Sequence, residues 1–210
     1  GMLNIYPLRI FGVMKTEPLV AVPLFIFMGV MLEKSNLAGQ LLEAMGSLFG
    51  TLKGGLGISV LLVGAMLAAS TGIVGATVVT MGLMSMPVML RAGYDPKLAS
   101  GLICSSGTLG QIIPPSIVLV LLGDILQGAN EQAAEMKGIL VPVPVTAIDL
   151  FAGALIPGLV LVSLYVLWQI LLAVFKPETC PAIQTLNGSP KHTVVNLLKT
   201  IIPPLLLIVI

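Results

Sequence analysis

Two stretches of the chain set oxygen-bearing side chains beside residues that break helices: Ala69 to Thr77, ASTGIVGAT, and Ser105 to Ser116, SSGTLGQIIPPS. The first supplies Ser70, Thr71, Gly72, Gly75 and Thr77; the second supplies Ser105, Ser106, Gly107, Thr108, Gly110, Pro114 and Ser116. Where a helix stops, its last carbonyls and first N–H groups lose their partners, so the carbonyls can hold a cation and the N–H groups an anion. Pro114 and Pro115 have no N–H, which removes the helical partners of the carbonyls around Gly110 and Gln111. Gly107 and Gly110 let the backbone leave helical geometry. The chemistry these residues offer is coordination of a metal cation by carbonyl and hydroxyl oxygens.

Other chemistries lack their groups. No Asp, Glu, Lys, Arg or His falls within Gly54 to Leu90 or within Leu98 to Gly123, and proton relays inside a membrane are built from such side chains. His192, the single histidine, lies in a polar loop, and no base neighbours Ser70 or Ser105 in sequence, so a serine hydrolase has no support. The absence of a GxxxxGK[ST] loop excludes ATP hydrolysis by that route. Each stretch also has a plainer reading. Small residues at the first permit close helix packing, and the prolines of the second can make a simple kink patched by hydroxyls or water. Two breaks together favour an ion or substrate site, because secondary transporters build such sites from discontinuous helices near the midplane. The methionines of MGLMSM read as adaptable packing, Asp124 and Asp149 as solvated helix ends, and Arg91 as an anchor at the membrane edge.

Both breaks sit inside long uncharged runs. Of 210 residues, 57% are hydrophobic and 9% charged, and mean hydropathy is +1.08; soluble domains carry about 25% charged residues. The composition is that of an integral membrane protein, with the lipid bilayer as its solvent. Ten basic and nine acidic residues form no basic cluster, which excludes a nucleic-acid surface. Cys104 and Cys180 are expected to be free thiols. No stretch at the start has the pattern of a cleaved signal peptide. The last run, IIPPLLLIVI, amounts to about 15 Å of helix, half a bilayer, and predicts a fragment of a longer protein.

The elements that must position the breaks follow from the uncharged runs. Pro18 to Leu32 predicts a first span. Leu37, Leu41, Leu42, Met45, Leu48, Phe49 and Leu52 then recur at helical spacing, as in an amphipathic helix lying on the membrane surface. Gly54 to Leu90, 37 residues, is too long for one span and short for two, which predicts a re-entrant hairpin with ASTGIVGAT at its tip. After RAGYDPK comes a discontinuous helix, 97–127, then a loop, the ordinary span Leu150 to Phe175, a second polar loop and a truncated last helix. Lys53, Arg91 and Lys97 flank the hairpin and Lys176, Lys191 and Lys199 follow the long span, whereas the loop between holds Lys137 against Asp124, Glu131, Glu135 and Asp149. Positive charge marks the cytoplasmic side, so the hairpin enters from the cytoplasm and the broken helix runs outward.

The runs PLFIFMGVMLEKS, GAMLAASTGIVGATVVTMGLMSMPVMLRAGYDPKLASG and GTLGQIIPPSIVLVLLGD resemble the large membrane subunit of the tripartite ATP-independent periplasmic (TRAP) transporters, from about Glu17 to Gly128. The resemblance implies an all-α integral membrane fold, half of an inverted-repeat, elevator-type transporter in the bacterial cell inner membrane, and no enzyme. It implies three parts: 1–53, a scaffold span and surface helix; 54–127, half of a transport domain; and 128–210, a loop, the scaffold span 150–175, a cytoplasmic loop and a truncated helix. It implies sodium coupling, with Ser70, Thr71, Gly72, Gly107, Thr108, Gly110 and Pro114 around the cation and Gly75, Thr77, Ser105, Ser106 and Ser116 nearest the substrate. An extracytoplasmic solute-binding protein would deliver a carboxylate-bearing organic acid, and a small membrane subunit would brace the scaffold. Many members carry an SGSS-like tip where this chain has STGIVGAT. A passive channel using the same carbonyls as a filter and a non-transporting scaffold are the rival readings. No Arg is placed to clamp a carboxylate, so solute choice is expected to rest on the binding protein, the missing half or helix N-termini.

Overall fold

The computed structural model describes residues 5–14, 17–35, 37–49, 51–139 and 141–182, and every regular element among them is helical. In order they are α1 (Ile5–Met14), α2 (Glu17–Lys34), α3 (Leu37–Phe49), α4 (Gly55–Thr71), α5 (Val74–Arg91), α6 (Pro96–Thr108), a 3-10 turn at Leu109–Gln111, α7 (Ile117–Met136), α8 (Ala147–Phe175) and a last 3-10 turn at Pro177–Thr179. His192, the rest of the second polar loop and the expected last helix lie outside the described residues.

Local chemistry sets the boundaries of the central helices. Gly72 stops α4 with φ of 62°, a left-handed conformation costly for any residue with a Cβ, and its N–H donates to the Ala68 carbonyl at 3.0 Å. Ile73 is extended and α5 restarts at Val74, so the chain reverses within two residues and the helices pack antiparallel. Asp95 starts α6, its carboxylate accepting the Lys97 N–H at 2.7 Å and the Leu98 N–H at 3.3 Å, with Pro96 in the first turn.

Two helices are apolar around their whole circumference, and they end up in opposite surroundings. α4 is the centre of the protein: Leu56, Val60, Leu61, Val63 and Leu67 are buried against Met81 and Met89 of α5 and Ala99, Leu102 and Ile103 of α6. α8 is almost bare, with Ile156 70% and Trp168 60% exposed. A helix apolar on every side has to be covered by protein or by lipid. At 29 residues α8 is about 43 Å long, more than the ~30 Å of a hydrocarbon core. α5 is also long and apolar enough to cross a membrane.

The structure redraws two expectations. The apolar stripe of α3 is not offered to lipid: Leu41, Leu42 and Met45 are buried in the same core as α4. Spacing shows that a helix has an apolar face but not what covers it. The broken helix also does not end near Gln127. α7 runs on to Met136 through Glu, Gln and Ala, all helix formers, with Gln127 donating to Glu131 at 2.7 Å one turn on. The loop before α8 shrinks accordingly, and α8 begins three residues before the uncharged run, at Ala147, because Thr146 and Asp149 form a reciprocal capping box. Both cysteines are free, Cys104 exposed and Cys180 buried.

The base of the α4–α5 hairpin is tied to distant parts of the chain. The Gly54 N–H donates to the Cys180 carbonyl at 2.9 Å, and the Gln169 amide of α8 donates to the Gly54 carbonyl at 3.3 Å. The Gly57 N–H donates to the Tyr94 hydroxyl at 3.2 Å, and the Asp95 N–H to the Thr179 carbonyl at 3.0 Å. Tyr94 lies in the α5–α6 link, where burial pushes its hydroxyl up to about 12 despite the N–H groups of Gly57 and Leu56, which favour the phenolate.

Candidate functional site

The tip of the hairpin and the break between α6 and α7 meet. A Cβ on Gly72 would lie 3.2 Å from the Pro115 carbonyl oxygen and 3.7 Å from the Ile117 nitrogen, and a Cβ on Gly110 would lie 2.7 Å from the Ala68 carbonyl oxygen. Only glycine lets these backbones approach so closely. From outside, Gly29 of α2 passes the same place, with its Cβ position 3.4 Å from the Thr71 carbonyl oxygen. Gly158, 11 residues into α8, packs against Ile113 of the break.

Backbone oxygens dominate this junction. Past Ala68, the N–H groups that would continue the ladder are carried off by the turn at Gly72, so the carbonyls of Ala69, Ser70 and Thr71 point beyond the helix end. In the break, the Leu109 carbonyl takes both the Ile112 N–H at 3.0 Å and the Ile113 N–H at 2.8 Å. The two prolines then donate nothing, and the peptide bond between them is cis. α7 restarts behind Ser116, whose hydroxyl accepts the Leu119 N–H at 3.4 Å.

Most of the hydroxyls are already committed. Ser116 donates to the Gln111 carbonyl at 3.0 Å, so it repairs one of the carbonyls freed by the prolines. Thr71 and Thr77, both buried, are 2.7 Å apart at their oxygens, and Thr77 also donates to the Ile73 carbonyl at 3.0 Å. That order of donors leaves the lone pairs of the Thr71 hydroxyl free. Ser106 is buried beside Gly64 and donates to the Ile103 carbonyl at 2.9 Å. Thr108 is exposed and donates to the Ser105 carbonyl at 2.8 Å.

The expected residues therefore divide. Thr71, Gly72, Thr77, Gly110, Pro114 and Ser116 converge on the junction of tip and break. Gly107 is an interhelical contact, its α-carbon facing Val78 of α5. Thr108 and Gly75 face away, Gly75 with open space around it, and Ser105 is half-buried one turn before the break. Ser70 belongs to the last turn of α4, and its side chain lies outside the described residues.

Gln111 was not among the expected ligands, yet its side-chain oxygen is buried with no hydrogen-bond partner. A buried acceptor left empty costs about 1–3 kcal/mol, so this oxygen invites a donor or a cation. The sequence held one clue: Gln111 is the only carboxamide in the uncharged run from Leu98 to Gly123.

The chain has relatives among known proteins. Residues 1–210 match the family described as tripartite ATP-independent periplasmic transporter, DctM component. The chain is 31% identical over 159 residues to the C4-dicarboxylate TRAP transporter large permease protein DctM of Rhodobacter capsulatus, a match covering 73% of this chain and 34% of that protein. It is 37% identical over 103 residues to the corresponding protein of Vibrio cholerae, covering 49% of this chain and 23% of the relative. With the ectoine/5-hydroxyectoine TRAP transporter large permease protein UehC of Ruegeria pomeroyi it shares 36% identity over 105 residues, half of this chain and 24% of the other. The matched region is thus about a third or less of each relative.

Proposed function

The chain belongs to the family of TRAP transporter large permease subunits, and on that premise we propose that its hairpin tip and broken helix form one wall of a sodium site in a secondary active carrier. The observation that carries this reading is the buried junction where Gly72 meets Pro115 and Gly110 meets Ala68, together with the buried, unpartnered side-chain oxygen of Gln111, the residue after Gly110.

The oxygens present suit sodium as the co-transported ion. They are neutral and hard: the carbonyls at the end of α4, the Thr71 hydroxyl and the Gln111 amide oxygen. Neutral oxygen donors favour a hard metal cation, and residues 54–90 and 98–123, which supply the tip and the break, hold no carboxylate to carry a proton instead. Thr108 and Ser106 contribute geometry rather than ligands, since their hydroxyls bond within α6.

Depth supports a re-entrant hairpin. The break touches Gly158, about 16 Å along α8 from Ala147 and about 16 Å from Gln169, which marks the hairpin base. The tip thus lies opposite the middle of a membrane-long helix. Residues 54–127 would then be the transport half of an elevator-type carrier in the bacterial inner membrane, with residues 1–53 and 128–210 around it. The bonds from Gln169 and Cys180 to Gly54 require that the inner end of α8 travel with the hairpin or release it.

The solutes are carboxylate-bearing organic acids, in keeping with relatives named for C4-dicarboxylates and ectoine. The N-terminus of α7 abuts Gly72 and can face an anionic group. Delivery falls to an extracytoplasmic solute-binding protein, and a small membrane subunit completes the assembly. The test is uptake into proteoliposomes by the full-length subunit with both partners. Uptake should require an inward sodium gradient; uptake indifferent to collapse of that gradient overturns sodium coupling, and conductance without the binding protein would make the assembly a channel.

A further inference from the structure

Along α2 the described side chains are exposed or half-buried, with a single exception: Gly29 is buried. What lies nearest it is Thr71. A Cβ on Gly29 would be 3.4 Å from the Thr71 carbonyl oxygen, 3.5 Å from the Thr71 Cβ and 3.6 Å from its α-carbon. Thr71 closes α4, and its carbonyl and hydroxyl are among the oxygens offered to the cation. α2 therefore meets the hairpin at its ligand-bearing end, and meets it with a hydrogen instead of a side chain.

The other glycines at helix contacts are required by the arrangement seen here. A Cβ on Gly110 would lie 2.7 Å from the Ala68 oxygen, and on Gly64 or Gly107 it would run into Ser106 or Val78. Gly29 differs. Distances of 3.4 Å and more are ordinary van der Waals contact, so alanine fits at 29 without displacing Thr71. Gly29 is also well inside α2, five residues before Lys34, where alanine is the more stable residue. The present arrangement would thus be tighter with alanine. The bare α-carbon is explained by a second arrangement, in which α2 and the tip come closer or slide past one another.

We propose that Gly29 is a positioning residue for transport, the smooth point at which the tip of the hairpin passes α2 as the carrier changes state. This role rests on the carrier reading above, in which residues 54–127 move relative to residues 1–53. Side chains on facing helices interlock as ridges in grooves, and packed interfaces step between discrete arrangements instead of deforming continuously. A methyl at 29 seats against the Cβ and α-carbon of Thr71 and has to climb over them before the tip can move. It holds the tip in the arrangement seen here and leaves the Thr71 oxygens where they are.

The experiment uses the full-length permease with its small subunit and binding protein in proteoliposomes. Initial rates of solute uptake are measured against sodium concentration, and the melting temperature of each variant is measured in detergent. Gly29→Ala should lower the maximal rate at least about threefold, because a conformational step then limits turnover. The sodium concentration for half-maximal uptake should not rise, and the melting temperature should equal or exceed the parent's. Gly153→Ala, at a helical glycine of α8 with open space around it, should keep the parent's maximal rate. A smaller loss in Gly29→Ala overturns the role, as does an equal loss in Gly153→Ala. A loss accompanied by a lower melting temperature or a weaker sodium response overturns it too, and makes Gly29 a packing residue of this arrangement. A parent that shows conductance without saturable uptake overturns the carrier reading and this role with it; a saturable parent matched by Gly29→Ala overturns the role alone.

Discussion

The two ends of the α4–α5 hairpin follow opposite rules. At the base, hydrogen bonds run between elements: Gly54 to Cys180, Gln169 to Gly54, Gly57 to Tyr94 and Asp95 to Thr179. At the tip, the bonds of Thr71, Thr77 and Ser116 reach no further than six residues along the chain, within the tip or within the break, and tip and break are held together by close packing of glycines. Each end has one unpartnered amide oxygen, on Gln169 and on Gln111. The one at the base lies against the first turn of α4, where its amide nitrogen already bonds Gly54, and the one at the tip belongs to the 3-10 turn between α6 and α7. The base is built to hold position and the tip to leave oxygens available.

Substitutions can break or sharpen that contrast. The largest effect is expected from Gly110→Val, whose added carbons must fit where a Cβ already lies 2.7 Å from the Ala68 oxygen: sodium-driven uptake should fall at least a hundredfold with helical circular dichroism retained. Uptake above half of the parent's would mean the junction is packing alone. Gln111→Leu should come next, raising the sodium concentration for half-maximal uptake about tenfold, one pairwise interaction of roughly 1.4 kcal/mol, with no loss of thermal stability. An unchanged sodium response would remove Gln111 from the site.

Changes at the base should move stability and leave sodium affinity alone. Tyr94→Phe strands the Gly57 N–H and should cost about 1–3 kcal/mol, read as a lower melting temperature in detergent. The pH sign follows from burial. Tyr94 titrates at about 10 when unfolded and about 12 when folded, so its contribution is whole below pH 10 and is lost as pH rises to 12. Melting temperature against pH should fall across that window in the parent and less steeply in Tyr94→Phe; parallel curves would contradict the base as described. The smallest effect is expected for Thr108→Ala, since that hydroxyl is exposed and bonded to the Ser105 carbonyl: sodium dependence should stay within twofold.

Much of this was legible in the sequence because helix breakers and charge-free runs report backbone events directly. Gly72 and the Pro114–Pro115 pair interrupt helices where expected, and α2, α4, α5 and α8 fall within a few residues of their runs. Hydroxyl roles were less legible. Ser116 and Thr108 have the right chemistry for ligands, yet each finds a nearby carbonyl first, because a Ser or Thr next to a broken ladder satisfies local backbone at little entropic cost. The base was illegible for another reason: nothing near Gly54 signals that its partners are Gln169 and Cys180.

Those partners also set an order of events during synthesis. Gln169 and Gly54 are 115 residues apart, and a chain is made at about 5–20 residues per second. When α4 and α5 leave the ribosome, the groups that fasten them do not yet exist. The hairpin has to wait for many seconds, held by its own tip and by α6, until α8 and the segment to Cys180 arrive and close the knot beneath it.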